Sequence, residues 1–214
     1  MDDEDYEEWL DGYKEHGLTW EEWKNRSANG VLKQYKKGDK VFITEQALNK
    51  MKVIDPNGYS DEAISNAFLR RKELLSYAKE SNESNEVVGV ININNGKFSD
   101  FVKGNKNSVD FLLSPEIYHM IMSNEKQSLE LIHNHPGLSY FSLNDINVFM
   151  MYNSIKTISI VTNQGKTWYI NKLDSFDFSK ARETMKELLD KYSDFDEIVE
   201  KFLKKGYTFG VERN

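Results

Sequence analysis

His133 and His135 stand two residues apart in His133-Asn134-His135-Pro136-Gly137, and the 214-residue chain has only four histidines in all. The preceding Leu129-Glu130-Leu131-Ile132 reads as a buried strand. In an extended segment, residues i and i+2 point to the same side, so both imidazoles can converge on one ion. The plainer reading is a pair of surface histidines at a strand end, stopped by Pro136. After five intervening residues beyond that proline comes Ser142-Leu143-Asn144-Asp145. A serine three before an acid at a helix start forms a capping-box variant. The same geometry lets Asp145, in the first helical turn, aim its carboxylate back at the strand end. Capping and ligation are compatible. Two histidines and one carboxylate form an ordinary three-ligand set for catalytic zinc, with a fourth position for water. Such a site needs a further carboxylate to take a proton from that water and hand it to a leaving group. Glu86, opening Glu86-Val87-Val88-Gly89, is the candidate, against the bland reading of a polar residue ahead of a strand. Gly89 either allows a close backbone approach or relieves crowding in the sheet.

The elements that must hold these residues follow from the pattern around them. Val87 to Ile93 is a nearly continuous apolar run, as in a strand covered on both faces. Asn95-Gly96 predicts a hairpin turn, with Lys97 to Lys103 returning antiparallel. Ser114-Pro115 opens a helix with serine as cap, turning Ile117, Met120 and Ile121 inward. Ser142 starts another, with Leu143, Ile146, Phe149 and Met150 on its apolar face. Ile158 to Thr162 and Lys166 to Ile170 form a last hairpin through Asn163-Gln164-Gly165. Amphipathic helices near 179–192 and 194–204 close the chain. Ahead of all this, Ser60 caps a helix running to about Lys79 with Ile64, Phe68 and Leu75 inward. The first forty residues read as short helices packed through Trp9, Trp20 and Trp23, with a capping box at Thr19 to Glu22. Gly38-Asp39 and Asp55-Pro56-Asn57-Gly58 are turns. The expected class is α/β, a mixed sheet flanked by helices. Its divisions are a helical extension over 1–80, a catalytic core over 81–175 and C-terminal helices over 176–214.

Composition removes other classes. The absence of cysteine excludes disulfide frameworks, thiol nucleophiles and cysteine-bound zinc. Zinc deaminases are excluded with them, since they need a P-C-x-x-C element. A formal net charge of −7 argues against a phosphate-binding face. The basic clusters Lys36-Lys37, Arg70-Arg71-Lys72 and Lys204-Lys205 are read as solvated helix faces or helix ends. The acidic start, Met1 to Asp5, is unlike a secretion signal, and no run approaches a membrane span. A cytoplasmic protein without membrane or nucleic-acid partners is expected. His119 and His16 fit no ligand spacing.

Glu86 to Gly89, His133 to Pro136 and Ser142 to Asp145, in this order, resemble the JAMM (MPN+) metalloprotease family, whose signature is E-x-x-G, H-x-H-P and S-x-x-D. The wording is similar to RadC-type and phage- or mobile-element-associated bacterial members. The resemblance spans about residues 84–172. The five residues between Pro136 and Ser142 are fewer than in the eukaryotic pattern, so no ubiquitin-chain specificity is carried over. The resemblance implies a Zn2+ ion on His133, His135 and Asp145, Glu86 as general base and then acid, and Ser142 at the water or the oxyanion. It implies a peptidase or isopeptidase with a protein or peptide substrate, and a regulatory partner could engage the N-terminal helices. The alternative is a non-catalytic MPN-like scaffold in a phage or bacterial assembly.

Overall fold

A computed structural model describes residues 40–137 and 139–214, so the expected helices, tryptophan packing and turn within the first 39 residues lie outside the described part. The described residues from Lys40 to Asn214 belong to one compact unit. Its architecture is α/β, built on one six-stranded mixed open sheet in the order β2-β1-β3-β4-β5-β6. The strands are β1 (Val87–Asn92), β2 (Val102–Lys103), β3 (Leu129–His135), β4 (Ile155–Thr162), β5 (Thr167–Lys172) and β6 (Val211–Arg213). Among the described strands only β3 and β4 run parallel. A parallel pair needs a crossover, and helix α4 (Leu143–Met151) supplies it.

The other helices are α1 (Glu45–Lys50), α2 (Asp61–Ser81), α3 (Pro115–Ser123), α5 (Phe178–Lys191) and α6 (Phe195–Lys205). Both sheet faces are covered, which explains the uninterrupted apolar runs in β1, β3 and β4. Val87, Ile91, Ile132 and Val161 pack against α1 and α2 through Leu48, Leu74, Leu75 and Ala78. Val88, Val90, Leu131, Ile158, Ile160 and Ile170 point the other way, into a larger core with α3, α4, α5 and α6. Helix α2, most of which the sequence assigned to an extension, is therefore one of the two layers on the sheet. Among the described residues no helix is long and apolar enough to cross a membrane.

Three local expectations differ from the structure. The strand expected over Lys97 to Lys103 is reduced to an isolated bridge, Ile91 to Phe98, and the two residues of β2. The Ser99 side chain interrupts it: its Oγ accepts from Val90 N–H at 3.0 Å, where a ladder carbonyl would sit. In α2 the inward face is rotated from the expected one. Ile64 and Phe68 are half-buried, while Ala63, Ala67, Leu74, Leu75 and Ala78 form the buried stripe. Arg70 and Arg71 also lie on that stripe rather than in solvent. Arg70 is held between Phe98 and Phe101, its guanidinium carbon 3.9 and 3.7 Å from their ring centres, and its Nη2 donates to Ser99 O. Arg71 is completely buried against Glu130 of β3, with Nε to Oε1 at 2.8 Å and Nη2 to Oε2 at 2.9 Å. Ser159 Oγ and Tyr59 OH donate to the same carboxylate at 2.6 and 2.8 Å.

Candidate metal centre

Position along β3 decides which chemistry each residue meets. Glu130, Ile132 and Asn134 turn toward α2, and Leu131, His133 and His135 toward α4. Asn134 anchors the strand end from behind. Its Oδ1 accepts from Val87 N–H at 2.7 Å, and its Nδ2 donates to Asn85 O at 3.1 Å and to Asn163 Oδ1 at 2.8 Å. Asn163 Nδ2 in turn donates to Ser84 O and Val41 O, both at 2.8 Å. This clasp fixes the ends of β3 and β4 and the entry to β1 as one piece, so the histidines sit on rigid backbone.

On the front face His133 Nε2 and His135 Nε2 lie 3.0 Å apart, both side chains only 6% exposed. Asp145 Oδ1 is 3.3 Å from His133 Nε2, and Oδ2 is 3.9 Å from His135 Nε2. One ligand atom from each of the three residues falls within 4.8 Å of the others, and this is the one such group among the described residues. The structure thus brings together the three residues expected to converge. His135 is oriented from its far side: Nδ1 lies 3.1 Å from Ser139 O and 2.9 Å from Ser139 Oγ. A carbonyl can only accept, so in a neutral ring that uses this bond the proton is on Nδ1 and the Nε2 lone pair is free for the cluster. Ser139 was not anticipated; it lies in the five-residue loop whose composition gives no signal.

Asp145 is held by the full capping box. Its Oδ2 accepts from Ser142 N–H at 2.6 Å and Ser142 Oγ–H at 2.7 Å, while Asp145 N–H donates to Ser142 Oγ at 3.2 Å. The Ser142 hydroxyl is thus directed at the ligand carboxylate. Burial raises the Asp145 pKa, but with both imidazoles protonated, the charge on His133, its hydrogen bond, the charge on His135 and the Ser142 hydrogen bond outweigh it. They hold the group well below the usual carboxylate range, ionised as a metal ligand must be.

Glu86 immediately precedes β1. Val88 pairs with His133, so strand alternation sets Glu86 on the histidine face, in the row of His135. The residue is 4% exposed, and its backbone pairs with Asn105 and Gly104 at the sheet edge. Its carboxylate is not among the three clustered ligands. Gly89 faces the opposite side: a Cβ there would lie 2.8 Å from Phe101 Cδ1. Its glycine makes room for an aromatic ring on the α2 face rather than for anything at the metal site. His119 sits on α3 with Nδ1 3.3 Å from Ser123 Oγ, outside the cluster.

A buried set of two imidazole nitrogens and a carboxylate suits zinc in type and number, and the convergence of all three on one point is the geometric half of that fit. Comparison with family models, with curated proteins and with solved structures finds no match to this chain.

Proposed function

We propose that this chain is a zinc-dependent hydrolase of amide bonds, a peptidase or isopeptidase of the JAMM kind, with His133, His135 and Asp145 as ligands. The observation that carries the reading is the convergence of one ligand atom each from His133, His135 and Asp145 within 4.8 Å at a strand end. Zinc held there supplies Lewis acidity and lowers the pKa of water it binds to about 7. The chain's own residues supply the rest. Glu86, buried in the row of His135, takes the proton of the attacking water and returns it to the departing amine. Ser142 holds Asp145 in register through both its hydroxyl and its amide. Ser139 fixes the His135 ring and its tautomer. The sheet-and-helix layering of the JAMM fold is proposed with this reading.

The experiment begins with zinc per chain in untagged protein. About one zinc is expected in the parent, and far less in folded His135→Ala and Asp145→Ala. Glu86→Gln should keep the metal and lose turnover on a mixed peptide pool by roughly 100- to 10,000-fold. No zinc in the parent, even after equilibration with added metal, sinks the proposal. Undiminished hydrolysis by Glu86→Gln removes Glu86 from it.

A further inference from the structure

The sheet face that bears the histidines continues sideways into a different chemistry. His135 pairs with Thr162 of β4. Thr162 N–H donates to Lys166 O at 2.8 Å, and Lys166 N–H to Thr162 Oγ1 at 3.1 Å. One row along, His133 pairs with Ile160, which pairs with Trp168 of β5. Residues directly opposite one another share a face, so Lys166 and Trp168 emerge on the histidine side, two strand spacings or roughly 10 Å away. There they form a small platform. Lys166 Nζ rests 3.5 Å from the centre of the Trp168 ring. Tyr140 meets that ring edge-on, with centroids 5.0 Å apart. Arg213, at the end of β6, lies with Nη1 3.4 Å from Tyr140 OH. Tyr140 directly follows Ser139, the residue that orients His135, so one peptide bond joins the platform to the metal centre.

Lys166 is exposed, and Trp168, Tyr140 and Arg213 are half-buried. Among the described residues neither cation has a carboxylate at ion-pair distance; their contacts are the Trp168 ring and the Tyr140 hydroxyl. In a chain of net charge −7, two cations without a salt bridge, Lys166 and Arg213 (the latter within electrostatic reach of Glu200), stand on an aromatic floor beside the candidate centre and form a site for an anion. A guanidinium takes a carboxylate in two-point fashion and an ammonium adds a point charge, while the ring faces take the carbon stem of the same residue. We propose that the polypeptide substrate crosses this row from the metal centre and seats a carboxylate against Lys166 and Arg213. The centre would then select acidic segments. The inference rests on the hydrolase reading for the direction of the chain, but its test does not need turnover.

Zinc-equilibrated Glu86→Gln protein is offered an array of immobilised peptides that differ only in carrying Glu, Gln or Lys at each position, each as C-terminal acid and amide. Retention of Glu peptides at least ten-fold above their Gln counterparts is expected, and its loss in a Lys166→Gln/Arg213→Gln background with unchanged zinc content. Preference among amides points to a side-chain carboxylate; preference confined to free acids points to the chain terminus. No acidic preference, no retention at all, or a preference that survives the double substitution overturns the proposal. If the parent retains acidic peptides but cleaves none, the hydrolase reading fails while the platform stands. If it cleaves acidic and neutral peptides alike, the reverse holds.

Discussion

Strand β3 carries two buried polar clusters on its two faces, and they are built on opposite plans. Behind it, Glu130 accepts four hydrogen bonds, two at each oxygen, from Arg71, Ser159 and Tyr59. That fills the accepting capacity of a carboxylate. Burial and the Glu130 charge push the Tyr59 hydroxyl above its ordinary value, which keeps it a donor. In front, His133, His135 and Asp145 turn ligand atoms toward one point, while Ser139 and Ser142 reach two of them from the outer side. The first cluster is neutralised by its own members and ties α2 to the sheet. The second has its supports directed outward and its donors of electron pairs directed inward. Burial alone does not separate structure from chemistry; the direction of the supporting hydrogen bonds does.

The largest expected effect tests the closed cluster. Arg71→Ala leaves the Glu130 charge buried and unpaired, and should cost about 3–5 kcal/mol in urea denaturation, or on the order of 10 °C in Tm for a unit of this size. Zinc content of the folded fraction should not change. Replacing both partners, Arg71→Met with Glu130→Leu, should restore most of the loss. A large zinc loss in Arg71→Ala would merge the two clusters into one.

Lys172 adds a third kind of buried charge, one with no carboxylate beside it. Its Nζ donates to Tyr152 O, at the end of α4, at 2.8 Å and faces the Phe149 and Phe176 rings at 5.0 and 5.1 Å. Burial, and then Lys126, push the amine down to about 7. A lysine in the unfolded chain titrates near 10.4. Between about pH 7 and 10 the unfolded state thus binds the extra proton, so stability should rise with pH there, by at most about 1.4 kcal/mol per unit. Below pH 7 both states are charged and the cost of burial is fully felt. Lys172→Met should flatten the rise and add stability below pH 7; an unchanged profile in the variant would place the linkage elsewhere.

What the sequence revealed of these clusters follows from how local each one is. The triad's spacings, i to i+2 on a strand and a cap at a helix start, lie within thirteen residues, and short-range geometry fixes them. The Arg71–Glu130 pair joins residues 59 apart in sequence, so Arg71 read as part of a solvated basic cluster and Glu130 as a residue of an apolar run. Glu130 did leave a trace, a lone acid inside the apolar stretch Leu129 to Ile132. Without knowledge that α2 lies across β3, nothing named its partner, and the rotation of α2 that buries Arg71 was missed with it. β6 was missed because three residues at the chain's end show no periodicity. α1 was missed because six residues give fewer than two turns.

Two smaller effects separate the faces further. Gly89→Ala sets a Cβ against the Phe101 ring and should cost about 1–3 kcal/mol by overpacking. It should leave zinc affinity and turnover of the folded protein alone, although Gly89 belongs to the motif that drew attention to Glu86. A loss of zinc would mean that strain on the α2 face reaches the histidines through β1.

Ser142→Ala is the smallest change and the sharpest. Thr44 caps α1 by accepting from Ala47 N–H at 3.1 Å, as Ser142 caps α4 through Asp145 N–H. Either residue changed to alanine should cost about 1 kcal/mol. Only at α4 does the capping hydroxyl also donate to a ligand carboxylate. Loss of such a support typically lowers metal affinity by roughly 10- to 100-fold. Zinc titration of Ser142→Ala beside Thr44→Ala and Ser142→Thr should show that fall in the first alone, because threonine keeps the hydroxyl. Equal affinities in all three would reduce Ser142 to a helix cap. Asp145 would then be held in place by the Ser142 amide alone.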